Sequence, residues 1–231
     1  HDALPIWTEA PYPKFSVSEL KKIAVVAVPS ILQQSFVSVG NMFIQGLINS
    51  YGSSVIAGYS AAIKLNTFSI TCFTTIGNSV SSFTAQNMGA GKTQRVKEGF
   101  KTGVLLALGV AAVAFILLFG FAGPCLDMFM NEGSTELARN TGIQFCRIVT
   151  PFYFLICLKV TSDGVLRGSG AMKAFMVSTF ADLLLRVVLA FVFAKFWGAV
   201  GIWLSWPVGW TLGTLLSVGF YKKGSWKRSM I

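Results

Sequence analysis

Apolar residues fill this chain in six long blocks, at about 23–49, 54–87, 97–123, 138–166, 172–197 and 200–221. Each block holds the ~20 apolar residues that a helix needs to cross a hydrocarbon core. The polar residues fall into two sets. One set fills the short gaps between blocks. The other interrupts the blocks at helical spacing, which predicts transmembrane helices with polar stripes turned away from lipid. The second and fourth blocks are long enough to tilt or to project beyond the bilayer. The expected fold is all-α, a six-helix transmembrane bundle over 16–221, with an irregular leader or connector at 1–15 and a basic tail at 222–231. Ser16 to Glu19 predicts a capping box with Ser16 as N-cap.

The gaps alternate in charge. Lys14, Lys21 and Lys22 stand before the first block, Lys92, Arg95, Lys97 and Lys101 after the second, Arg167 and Lys173 after the fourth, and Lys222, Lys223, Lys227 and Arg228 after the last. The other gaps carry Tyr51 to Ser54, then Asp127, Glu132 and Glu136 with Arg139, then Lys195 alone. Lys and Arg are retained on the cytoplasmic side, so both termini are expected there. Trp197, Trp203 and Trp206 are expected in an outer aromatic belt, Tyr221 and Trp226 in an inner one. Pro29, Pro151 and Pro207 fall inside blocks, where each is either a static kink or a hinge.

Composition agrees with a membrane protein: 53% of the 231 residues are hydrophobic, 12% are charged, and there are 20 Phe. Soluble domains carry about 25% charged residues. The net charge of +10 sits in the gaps rather than on one basic patch, so nucleic acid is not an expected partner. The four Cys form no CxxC pair and His1 is the only histidine, so no metal site, disulfide or cofactor is expected. No HExxH or GxSxG motif is present, and an enzyme is not expected.

The interrupting residues are the candidate site. Gln34, Ser38, Asn41 and Gln45 recur at three and four residues, on one face of the first helix. Lys64, Thr67, Thr71, Thr74, Asn78 and Ser81 do the same on the second. These stripes line a polar cavity or bond between helices. Thr and Ser weigh least, because their hydroxyls return to their own backbone. Lys64 lies ~15 Å from its outer helix end, facing a cavity or snorkelling outward. The fourth block carries Arg147, Lys159, Asp163 and Arg167, read as a self-neutralised, solvated helix end, with Asp163 also a candidate for ion coupling or a structural charge pair. Asp182 and Arg186, four apart in the fifth block, read as a buried pair, either structural or an ion-coupling site.

The stretch from Gly77 to Lys92 is a run of small residues that ends in Gln86 and a Gly89-Ala90-Gly91 turn. With Pro29, Tyr51-Gly52 and Leu166-Arg167-Gly168 in order, the chain from about Phe15 onward resembles the second lobe of multidrug and toxic compound extrusion (MATE) transporters. The resemblance implies one half of a twelve-helix secondary-active antiporter in a bacterial inner membrane. Such a protein exports amphipathic or cationic compounds in exchange for protons or sodium. It implies as partners the bilayer, the substrate, the coupling ion, and a missing N-terminal lobe or a second six-helix chain. Two alternatives of the same fold are a non-transporting half-length subunit and a lipid-linked precursor flippase. The chain departs from sodium-coupled members. It has Val37, Gln33 and Gln34 where they carry a Glu, and no acid between Phe152 and Leu158 where they carry an Asp. The coupling ion does not follow from the resemblance.

Overall fold

The computed structural model describes residues 15–130 and 133–227. The leader at 1–14, Glu132, Arg228 and the rest of the tail lie outside the described residues. The elements are α1 (Val17–Asn49), α2 (Ser53–Gly89), α3 (Thr93–Phe115) with a π-helical turn at Ile116–Gly120, and α4 (Ala122–Asp127). They continue with α5 (Glu136–Val149), a 3-10 turn at Thr150–Phe152, α6 (Tyr153–Gly168), α7 (Met172–Trp197), α8 (Ala199–Lys222) and a final 3-10 turn at Ser225–Lys227. No strand occurs among the described residues. Among the described residues, five spans are long and apolar enough to cross a membrane: Val17–Asn49, Thr93–Gly120, Glu136–Gly168, Met172–Trp197 and Ala199–Lys222. The remaining long helix, α2, is the one most interrupted by Thr, Ser and Asn.

Local signals set the helix ends. Ser16 caps α1 and accepts from the Glu19 N–H at 3.4 Å. Gly91 has φ +68°, the Lys92 N–H reaches the Asn87 carbonyl at 2.8 Å, and the Gly91 N–H reaches Met88 at 3.0 Å. That is a Schellman end, and it needs a residue without a Cβ penalty in the left-handed region. The same pair of bonds closes α6 at Gly170, where Ala171 bonds Leu166 and Gly170 bonds Arg167.

The fourth block is two helices. Pro151 has no N–H for the carbonyl of Arg147, and α5 gives way to a 3-10 turn before α6 resumes. α2 packs along α5 and α6 because small residues meet at the crossing. Gly77 and Gly164 lie backbone to backbone, and a Cβ on Gly77 would stand 2.7 Å from the Val160 carbonyl oxygen. α7 and α8 form the most extensive helix pair, whereas α1 rests mainly on α7 and touches α2 lightly.

Two aromatic expectations are corrected. Trp203 and Trp206 do not form a belt. Trp203 is 0% exposed, stacked on Tyr59 at 5.2 Å and met edge-on by Phe145 at 5.3 Å. α8 is wrapped by α5, α6 and α7, so the face that carries these indoles looks inward; Trp197, at the helix end, is exposed. Trp226 is also buried, folded back on Tyr221 with its indole N–H donating to the Tyr221 carbonyl at 3.2 Å.

Candidate functional site

The light contact between α1 and α2 leaves a cavity of about 620 Å³, walled by α1, α2, α6, α7 and α8. From α1 it takes Gln33, Gln34, Val37, Asn41 and Gln45. Asn41 and Gln34 are exposed and Gln45 is half-buried, with its amide donating to Asn49 Oδ1 at 2.9 Å. Ser38 does not line the cavity; its hydroxyl returns to the Gln34 carbonyl at 3.1 Å. From α2 the cavity takes Thr67, Thr71, Thr74 and Asn78. Thr71 and Thr74 also return their hydroxyls to backbone carbonyls. Lys64 and Ser81 are not among the lining residues, and Lys64 is exposed. A 3.5-residue stripe drifts about 20° per heptad around a straight helix, so at that level Ile63 and Asn66 face the cavity instead.

The opposite wall is dry and charged. Lys159 Nζ holds Asp163 Oδ2 at 2.8 Å and stands 3.8 Å from Asp182 Oδ2. The other oxygen of Asp163 accepts from Ser217 at 2.6 Å and from Ser178 at 3.3 Å. Asp163 is therefore no solvated helix end. It is 6% exposed, because α7 and α8 close over the last turns of α6 and each presents a serine to it. A buried carboxylate is stable when its lone pairs are filled in this way.

The pairing of Asp182 with Arg186 is also corrected. No ion pair joins them within 4 Å among the described residues. A spacing of four puts two side chains on one face, but each then finds its own neighbour. Asp182 turns to Lys159 across the helix boundary, with Oδ1 beside Gly209 of α8. Arg186 lays its guanidinium 4.6 Å from the ring centre of Trp206. Arg167, expected beside Asp163, reaches Asn78 of α2 and lies over the ring of Phe175.

Several wall residues carry a sequence signal of their own. The spacing of Lys159 and Asp163 marks them as neighbours, and a lysine inside an apolar block is itself a signal of a polar site. Trp206 and Trp210, four apart, share the inward face of α8. Asn66 is buried and accepts from the Tyr153 hydroxyl at 3.0 Å. Its amide was masked by the Thr-rich stripe around it.

The fold and this cavity define an integral membrane protein of helical-bundle type, with a polar chamber set off-centre in it. The MatE family profile matches residues 29–192, and the chain belongs to that family. It is 25% identical over 223 residues to the probable multidrug resistance protein YoeA of Bacillus subtilis (strain 168), covering 95% of this chain and 47% of that protein. It is 26% identical to the probable multidrug resistance protein YpnP of the same organism, covering 93% and 47%. A solved outward-facing multidrug resistance MATE family transporter of the MOP superfamily shares the fold, with a TM-score of 0.84, 18% identity, 96% of this chain and 50% of that one. The chain spans about half the length of the curated relatives it matches.

Proposed function

We propose that this chain is the C-terminal lobe of a secondary-active exporter of amphipathic small molecules. It works by alternating access with a second six-helix lobe, both termini lying on the cytoplasmic side of a bacterial inner membrane. The observation that carries the reading is the cavity: wet on the α1–α2 side, charged on the α6–α8 side, in a chain half the length of its relatives. Repeated lobes of transporters place substrate and ion sites where the repeats meet.

Asp163 and Asp182 are the proposed ion-coupling carboxylates. The two carboxylates share a single ammonium, and Asp182 keeps only the longer contact to it, 3.8 Å against 2.8 Å for Asp163, which makes it the carboxylate that a proton or a sodium ion can compete for. The stripe Gln34, Asn41, Gln45, Thr71 and Asn78 is proposed to touch substrate or cavity water. The test is gradient-driven flux. The chain and its second lobe are reconstituted in liposomes, and a fluorescent amphipath is followed under an imposed proton or sodium gradient. Flux that follows one gradient and stops in Asp163→Asn supports the reading. Equal leak under both gradients, unchanged by the variant, would remove it. In cells, a cysteine at Ser53 reached only from outside and one at Lys97 only from inside would support the orientation, and the reverse would overturn it.

A further inference from the structure

The charged wall does not balance, and the surplus is positive. Lys159, Arg167 and Arg186 face the cavity against Asp163 and Asp182. Both carboxylates are engaged with Lys159, while Arg167 is held by a neutral amide. Arg186 is 6% exposed and has neither a hydrogen-bond nor an ion-pair partner among the described residues. An aromatic ring spreads the charge of a guanidinium but accepts none of its five N–H bonds strongly. The ring over which it lies, Trp206, has its own indole N–H buried and unpartnered. Arg186 and Trp206, from adjacent helices, both line the cavity, and each carries a buried donor, Nε and the indole N–H, that has no partner. The one nearby acceptor left open, Asp182 Oδ1, sits against the backbone of Gly209, and its carboxylate is turned to Lys159.

Unfilled buried donors call for an acceptor, and an unpaired buried guanidinium calls for an anion. We propose that Arg186 and Trp206 form an anion subsite of this cavity, which takes the carboxylate or phosphate group of an aromatic amphipath. The inference rests on the exporter reading and narrows its substrate class from amphipathic or cationic to anionic. Trp206 and Trp210, edge to face at 5.7 Å, both line the cavity and add apolar wall beside that subsite.

The experiment compares two probes with the same ring and opposite charge, 1-naphthoate and 1-naphthylmethylammonium. Both are radiolabelled and measured by equilibrium dialysis against the purified full chain in nanodiscs of zwitterionic lipid. The naphthoate is expected to bind at least about tenfold more tightly. Arg186→Gln should abolish that preference, Arg186→Lys should keep part of it, and Lys195→Gln, exposed and away from the cavity, should leave it unchanged. If Arg186→Gln does not fold, Trp206→Phe keeps the ring and removes the N–H, and should weaken naphthoate alone. Tighter binding of the cation, equal binding of the two, or naphthoate binding unaffected by these variants would overturn the anion subsite and leave the exporter reading standing. Binding of neither probe would overturn the anion subsite and leave Arg186 as the partner of an acid on the second lobe, the exporter reading being decided by the two-lobe flux test.

Discussion

Lys159 Nζ stands 3.8 Å from Asp182 Oδ2, so a lysine of α6 and an aspartate of α7 meet inside the membrane lobe. The same ammonium holds Asp163 at 2.8 Å. One cation therefore serves two buried carboxylates, and the consequences of removing each partner differ. Lys159→Met should leave both acids without their ammonium, and breaking a buried pair from one side costs ~3–5 kcal/mol. Asp182→Asn removes only the longer contact and keeps Lys159 on Asp163. Its loss should be ~1 kcal/mol or less. Thermal unfolding of the two variants in one lipid or detergent condition checks the order. A larger loss in Asp182→Asn would show that Asp182, not Lys159, organises the cluster.

Three glycines separate turn geometry from helix packing. Gly91 is left-handed and has nothing within 4 Å of a built Cβ, so Gly91→Ala should cost only the backbone penalty, ~1–2 kcal/mol. Gly89 is helical and equally unobstructed, so Gly89→Ala should be neutral or gain up to ~1 kcal/mol. Gly77→Ala drives a methyl into the Val160 carbonyl and must push α2 off α6, at ~1–3 kcal/mol or more. Melting temperatures should therefore fall in the order Gly89→Ala, Gly91→Ala, Gly77→Ala. Equal values for the first two would mean that the turn makes no special backbone demand.

These cases also show what a sequence of this kind makes legible. Helix ends are local, so Ser16 and Gly91 could be read directly. Block lengths are local too, and five spans plus α2 follow them closely. Pro151 announced a disturbance, but whether it bends a helix or divides it depends on what packs there. Partner choice is not local. The spacing of Asp182 and Arg186 gave a shared face and could not say that Lys159 and Trp206 would arrive from α6 and α8. The same holds for the indoles of Trp203 and Trp206. Their position in the chain fits an interface, but burial is decided by which helices surround α8.

Asp127 lies outside the spans and forms a bidentate pair with Arg139, near the start of the Glu136–Gly168 span, with Arg139 Nε at 2.9 Å from one carboxylate oxygen and Nη2 at 3.1 Å from the other. The hydrogen bond from Arg139 holds the Asp127 carboxyl below the usual carboxylate range, with the guanidinium charge assisting and desolvation opposing. Because the folded pKa is the lower one, the pairing contributes fully above the unpaired value of about 4 and is lost as pH falls through the depressed one. Between pH 5 and 8 it should not change. Arg139→Gln should move the Asp127 titration upward, read from the carboxyl carbon-13 shift. A midpoint that stays put would show that the guanidinium is not its cause.

The polar lining of the cavity should divide by burial. Asn41 is exposed and makes no side-chain hydrogen bond among the described residues, and Gln45 gives its amide to Asn49 at the wet edge. Water can replace either group, so Asn41→Ala and Gln45→Ala should change stability by about 0.5 kcal/mol or less. Asn66 is different. It is buried and accepts the Tyr153 hydroxyl, and Tyr153 is itself 1% exposed, so Asn66→Ala should leave a dry donor at a cost of ~1–3 kcal/mol. Replacing both partners, Asn66→Ala with Tyr153→Phe, should recover part of that loss, since no polar atom is then stranded. In a transport assay containing both lobes, the Asn41 and Gln45 variants should alter the ranking of substrates while the protein melts normally. The Asn66 variant should lower the amount of folded protein without changing the ranking. If the Asn41 and Gln45 variants instead unfold the protein and leave the ranking intact, α1 is held by those amides and the substrate lies elsewhere.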